Sequence, residues 1–177
     1  MPPFLKGCDE ILFLDSILRR FLWHRKPRQT ISSWREESPL GLGRGHMPVL
    51  IDEKIDNLLE TTSRSFYPTL KYLPKKTRGQ IGLLYLLARV ADTIADTKVG
   101  DTALLLEHLK TYNDVVQGRS SELPDFSELV ALQSNEHEAE LLRNVPLVVD
   151  GLSVYEQGDQ ERILECLEVI VGRQIWT

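Results

Sequence analysis

Cysteine is almost missing: Cys8 and Cys166 are the only two in 177 residues, far apart and outside any CxxC pair. That excludes a disulfide framework and a thiolate zinc site, and it suits a reducing compartment such as the cytoplasm. No stretch of 18 apolar residues occurs, which removes a membrane-spanning helix from consideration. Excess positive charge is also lacking, since 21 basic and 26 acidic side chains leave −5. A nucleic-acid partner held by a broad basic face is therefore not expected, although a local basic pocket is compatible with this balance. Few segments alternate like strands, and no internal repeat or low-complexity tract is present. What is there, 42% apolar and 27% charged residues, suffices for one medium domain with its own core.

Charge divides the chain near residue 46. Residues 1–46 carry 8 basic and 5 acidic side chains, whereas residues 47–177 carry 13 and 21. The first part closes on Ser38-Pro39-Leu40-Gly41-Leu42-Gly43-Arg44-Gly45, a Gly-rich stretch that holds a helix poorly and reads as a linker. Within it, Ile11 to Leu22 contains eight apolar residues in twelve, with Arg25, Lys26 and Arg28 just after. A signal peptide has its charges first, so the order is wrong for one. Three readings of this basic extension stand: an interfacial helix on anionic lipid, a docking segment for a partner, or a poorly ordered tail.

From residue 47 onward the pattern is helical. Prolines 48, 68, 74, 124 and 146 and glycines 100, 118 and 158 cut the sequence into pieces of helical length. Leu104, Leu105, His108, Leu109, Tyr112, Val115 and Val116 recur at three- and four-residue steps, as one buried stripe requires, and Ile163, Leu167, Ile170 and Val171 repeat it. Asp125 with Glu128 predicts a capping box. The expectation is an all-α domain of five or six helices.

The segment from Gly79 to Asp96 is apolar on nearly every side, so its few polar residues require individual reasons. At about 100° per residue, Tyr85, Arg89, Asp92 and Asp96 project at roughly 0°, 40°, −20° and 20°, forming one narrow column. Burying a guanidinium and two carboxylates is costly unless they pair or line a wet cavity. Asp92 and Asp96 lie four apart, where like charges repel and a divalent cation would relieve them. Oxygen ligands favour Mg2+, which takes one or two carboxylates and completes its shell with water and substrate phosphate. Their place near a helix C-terminus is unfavourable for negative charge by about 0.3–1 kcal/mol each, so stability alone does not choose them. Against this stands a plainer arrangement, in which Arg89 pairs with Asp92 and Asp96 is solvated at the helix end.

Upstream, Thr61-Thr62-Ser63-Arg64-Ser65-Phe66-Tyr67 alternates hydroxyls with a guanidinium ahead of Pro68. Such a set suits a diphosphate, with Arg64 as a bidentate fork and serines as single donors. It equally suits a helix end that uses Ser and Thr as local caps. The pair Asp52 and Asp56 repeats the DxxxD spacing but reads as a solvated helix face.

Taken together, Thr62-Ser63-Arg64-Ser65-Phe66 and Tyr85-Leu86-Leu87-Ala88-Arg89-Val90-Ala91-Asp92-Thr93-Ile94-Ala95-Asp96 resemble the first two signatures of the squalene and phytoene synthase family. The likeness runs from about Val49 to the last residue and is closer to the squalene branch, whose members also place Thr after the first aspartate. It implies the all-α class I isoprenoid synthase fold, and a reaction in which two farnesyl or geranylgeranyl diphosphates condense head to head, followed in squalene-forming members by reduction with NADPH. It further implies that Asp92 and Asp96 hold Mg2+, and that Ser63, Arg64, Ser65, Tyr85 and Arg89 line the diphosphate site. Arg64 and Arg89 are implied to lie near the nicotinamide. Phe66 and Tyr85 are candidates for the dry aromatic wall that a carbocation needs. The substrate partner is a prenyl diphosphate, and a lipid product makes peripheral membrane contact compatible with the reading.

Two departures accompany the resemblance. Ala95 stands where eukaryotic squalene synthases carry Glu, as in bacterial variants. The family's second acidic motif has no counterpart after Asp96, although Ile170-Val171-Gly172-Arg173-Gln174 resembles the segment just before it. The expectation is therefore an N-terminal portion of such an enzyme, with Leu147, Val148, Leu152, Ile163, Leu167 and Val171 short of packing partners. Three rivals are a phytoene or dehydrosqualene synthase, a non-catalytic relative that acts in assembly, and an unrelated helical bundle with a lone DxxxD.

Overall fold

The computed structural model describes residues 52–63, 66–97 and 102–175. The chain forms two units, Met1–His46 and Met47–Thr177. All described residues belong to the second unit; the basic extension, with its lipid, partner and tail readings, lies outside them.

Eight α-helices follow in order: α1 Glu53–Thr62, α2 Phe66–Leu70, α3 Lys75–Asp96, α4 Thr102–Val116, α5 Ser127–Leu132, α6 Glu136–Arg143, α7 Val145–Asp150 and α8 Gln157–Ile175, with a 3-10 turn at Gly151–Val154. There is no strand among the described residues. The domain is all-α, as its periodicity requires, but it has more helices than the five or six expected. Pro68 and Pro146, read as cuts, sit instead in the first turns of α2 and α7. There the missing N–H has no intrahelical partner to lose. The capping box at Asp125 does not form either. Asp125 Oδ1 accepts from the Ser127 N–H (2.9 Å) and hydroxyl (2.6 Å), closing a tight turn, and α5 begins after Phe126.

The longest helix, α3, is also the centre, packing against α1, α2, α4, α6, α7 and α8. Ile81, Leu83, Leu84, Leu86, Leu87, Val90 and Ile94 are all buried on it, each contributing about 1.5–3 kcal/mol by leaving water. Its start is tied by Arg78, whose Nη2 donates to the carbonyls of Lys71 (2.6 Å) and Leu73 (2.9 Å). Tyr112 of α4 donates its hydroxyl to the Leu87 carbonyl at 2.8 Å, which satisfies a polar group inside the core. The 3-10 turn approaches so closely that a Cβ on Gly151 would lie 3.2 Å from both Ile55 Cδ1 and Leu83 Cδ1.

The C-terminal stripe does not lack partners. Val148, Leu152, Ile163, Leu167 and Val171 are buried, because α8 lies along α3 and α4 and α7 also packs on α3. The surface expected to be left open is covered by the chain's own central helix.

The pair read as a solvated face behaves otherwise. Asp52 caps α1, accepting from the N–H groups of Lys54 (2.8 Å) and Ile55 (3.0 Å). Asp56 is 1% exposed and accepts the Tyr67 hydroxyl at 2.5 Å. The aromatic side chain from α2 covers it, so half of this pair belongs to the core.

Candidate functional site

Four of the residues singled out in the sequence lie in one column on α3. Tyr85 is buried, and its ring lies 4.9 Å from that of Phe66, tilted by 32°. Offset contacts of this kind add to the stability of an apolar wall. One turn further, Arg89 Nη2 donates to Glu138 Oε1 of α6 at 2.7 Å. Of the plainer arrangement weighed from spacing, the Arg89–Asp92 pair gives way to one between helices, whereas its solvated Asp96 at the helix end is what the structure has. Asp92 comes next, and its Oδ1 accepts the side-chain amide of Gln174 from α8. Asp96 closes the helix and is exposed.

Burial gives Asp92 an unusual electrostatic environment. Burial pushes the Asp92 carboxyl up to about 6; the Arg89 guanidinium pulls it down, Asp96 pushes it further up, and the Gln174 amide lowers it. Desolvation thus outweighs the nearby cation, and the repulsion inferred from the four-residue spacing is present. The C-terminal end of α3 is fixed by a chain of hydroxyls. Thr93 Oγ1 donates to the Arg89 carbonyl (2.9 Å), Thr97 Oγ1 to the Thr93 carbonyl (2.6 Å), and Gln133 Nε2 to Thr97 Oγ1 (2.7 Å).

The second cluster is partly visible. Arg64 and Ser65 lie outside the described residues. Thr61, Thr62 and Ser63 turn their hydroxyls back onto α1: Thr61 donates to the Asn57 carbonyl (2.9 Å), Thr62 to that of Leu58 (2.6 Å) and Ser63 to that of Leu59. Ser63 is buried, and its carbonyl accepts from the N–H groups of Phe66 and Tyr67, both at 2.9 Å, which starts α2. The Ser63 proton is therefore spent on the backbone, and its part in this arrangement is to shape the turn.

Glu138 was not singled out in the sequence, and Gln174 only as the end of the segment 170–174 rather than as a site residue, yet the signal was present. Glu138 shares a face with buried Leu141 and Leu142, and Gln174 extends the stripe of Ile163, Leu167 and Val171. Each is a polar residue on an apolar face, the same irregularity that marks α3.

A family model for squalene/phytoene synthases matches residues 59–150, just over half of the chain, spanning the Ser63–Phe66 cluster, the whole α3 column and Glu138. The chain belongs to the squalene/phytoene synthase family. No curated protein and no solved structure matches it. The all-α architecture accords with the class I isoprenoid synthase fold, and the family acts on prenyl diphosphates as a prenyltransferase, with Mg2+ as its usual ion. No group of three or more potential ligands from His, Cys, Asp and Glu assembles among the described residues. An ion here would rest on Asp92 and Asp96, a donor set that Mg2+ accepts when water and phosphate complete its shell. A desolvated carboxyl repelled by its neighbour fits that use. No helix among the described residues is long and apolar enough to cross a membrane.

Proposed function

We propose that the protein joins two farnesyl diphosphates head to head to form squalene through presqualene diphosphate, and that α3 carries its first acidic motif. The observation that carries the reading is the column on α3, where Arg89, Asp92 and Asp96 follow one another on one face inside the segment matched to the family, and burial pushes the Asp92 carboxyl up to about 6. Perturbed acids of this kind mark sites rather than ordinary core positions. Thr93, following the first aspartate, supports the squalene branch.

Mg2+ held by Asp92 and Asp96 would neutralise charge building on a departing diphosphate. The chain's own groups complete the site. Arg89 would offer its guanidinium to the same oxygens, and the family resemblance adds Arg64 and Ser65, which follow Ser63 in the sequence. Phe66 and Tyr85, buried against each other, would supply the aromatic wall that excludes water and stabilises an allylic cation. In a squalene-forming reaction NADPH would supply the reducing hydride, and the resemblance implies Arg64 and Arg89 as the residues that would hold it.

The test is incubation of the protein with farnesyl diphosphate and Mg2+, with and without NADPH, and mass spectrometry of the products. Squalene that depends on NADPH supports the proposal. Dehydrosqualene regardless of NADPH, or phytoene from geranylgeranyl diphosphate, moves the protein to the other branch. No product from either substrate leaves the assembly role.

A further inference from the structure

We infer that Gln174 is the positioning residue of this metal site: its side-chain amide, from the last turn of α8, holds Asp92 at one oxygen and keeps its own carbonyl for metal-bound water. The inference rests on the reading of Asp92 as a magnesium ligand. Gln174 Nε2 donates to Asp92 Oδ1, which leaves Oδ2 for an ion. The direction of the amide is fixed by chemistry, because only its NH2 end can donate to a carboxylate. Gln174 Oε1 then points elsewhere, and it is buried with no hydrogen-bond partner among the described residues. A buried acceptor left unpaired is unfavourable, unless a group absent from the protein itself supplies the donor.

Core packing does not account for this residue. Ile163, Leu167 and Val171 are fully buried on α8, and an apolar side chain three residues further would continue their contact with α3. A glutamine there, 82 positions from its partner in sequence, joins the end of one helix to the acidic motif of another. Metal-bound carboxylates are commonly held and oriented by such hydrogen-bonding neighbours.

The experiment is calorimetric titration of the full chain with Mg2+ in saturating inorganic pyrophosphate. Gln174→Met keeps the length and packing of the side chain and removes the amide. It is expected to weaken Mg2+ binding roughly 10- to 100-fold with unchanged circular dichroism and melting. In an Asp92→Asn background the same change is expected to cost less than about twofold, because Gln174 acts through Asp92. Should Gln174→Met not fold, Gln174→Asn, with its amide on a shorter arm, carries the same expectation. Wild-type binding together with unaltered binding by the variant overturns the inference alone, as does an equal loss in both backgrounds. Absence of wild-type binding overturns the magnesium reading and the inference with it.

Discussion

The domain contains two DxxxD pairs, Asp52 with Asp56 and Asp92 with Asp96, and they are built in opposite senses. The first opens α1: Asp52 is its exposed cap and Asp56 lies in its first turn, buried under Tyr67. The second closes α3, with its inner aspartate half-buried against α8 and its outer one exposed. Negative charge is favoured at a helix N-terminus and disfavoured at a C-terminus. Capping and a tyrosine hydroxyl explain the first pair as structure. The second goes against the local electrostatics, which is what a site selected for binding would show. Spacing alone does not distinguish the two; the end of the helix does.

The largest contrast is expected from Asp92→Asn. The amide keeps an acceptor for Gln174 while removing a charge that burial disfavours, so binding of Mg2+ with pyrophosphate falls at least about 100-fold while the fold gains stability. A carboxyl raised from 3.8 to about 6 corresponds to about 3 kcal/mol at pH 7, as an upper value. The sign follows from proton binding. Between pH 4 and 6 the folded chain retains a proton that the unfolded chain has released, so wild-type stability falls as pH rises through that window. Urea titrations should show the variant's advantage near zero below pH 4 and complete above pH 6. A variant less stable than wild type at pH 7 would break the comparison.

At the first pair the same class of change should only destabilise. Tyr67→Phe removes the hydroxyl donor at 2.5 Å from Asp56 and should cost about 2 kcal/mol, since a buried carboxyl loses a hydrogen bond. Asp52→Ala removes the α1 cap and should cost about 1 kcal/mol. Neither should alter pyrophosphate affinity in calorimetry by more than about twofold, because neither residue belongs to the site. A tenfold loss in either would place Asp52 or Asp56 in the binding machinery and erase the distinction.

Much of this was legible in the sequence, for identifiable reasons. The α3 column could be read because a helix buried on every side makes each polar residue conspicuous, and the stripes of α4 and α8 follow from their period. Prolines misled where they begin helices, as Pro68 and Pro146 do. Asp56 was misread because its cover comes from Tyr67, eleven residues away. Glu138 and Gln174 escaped for a related reason: their partners on α3 are 49 and 82 positions distant, and local periodicity shows that such a residue is out of place but not what it meets. The site is therefore half local and half assembled by packing.

The smallest effect sharpens the comparison most. The Arg89–Glu138 pair is partly exposed, with side chains 28% and 25% accessible, so Glu138→Gln should cost less than about 1 kcal/mol of stability. Its effect on the site is opposite in sign to that of Asp92→Asn. Glu138 Oε1 lies 2.7 Å from the guanidinium and competes with any anion for it, so neutralising the acid should raise pyrophosphate affinity about threefold when Mg2+ is withheld. The gain should shrink at high salt, where partly exposed charges are screened. A loss of affinity would mean that Glu138 aims Arg89 more than it neutralises it, and that the column on α3 depends on α6 for its geometry as it does on α8.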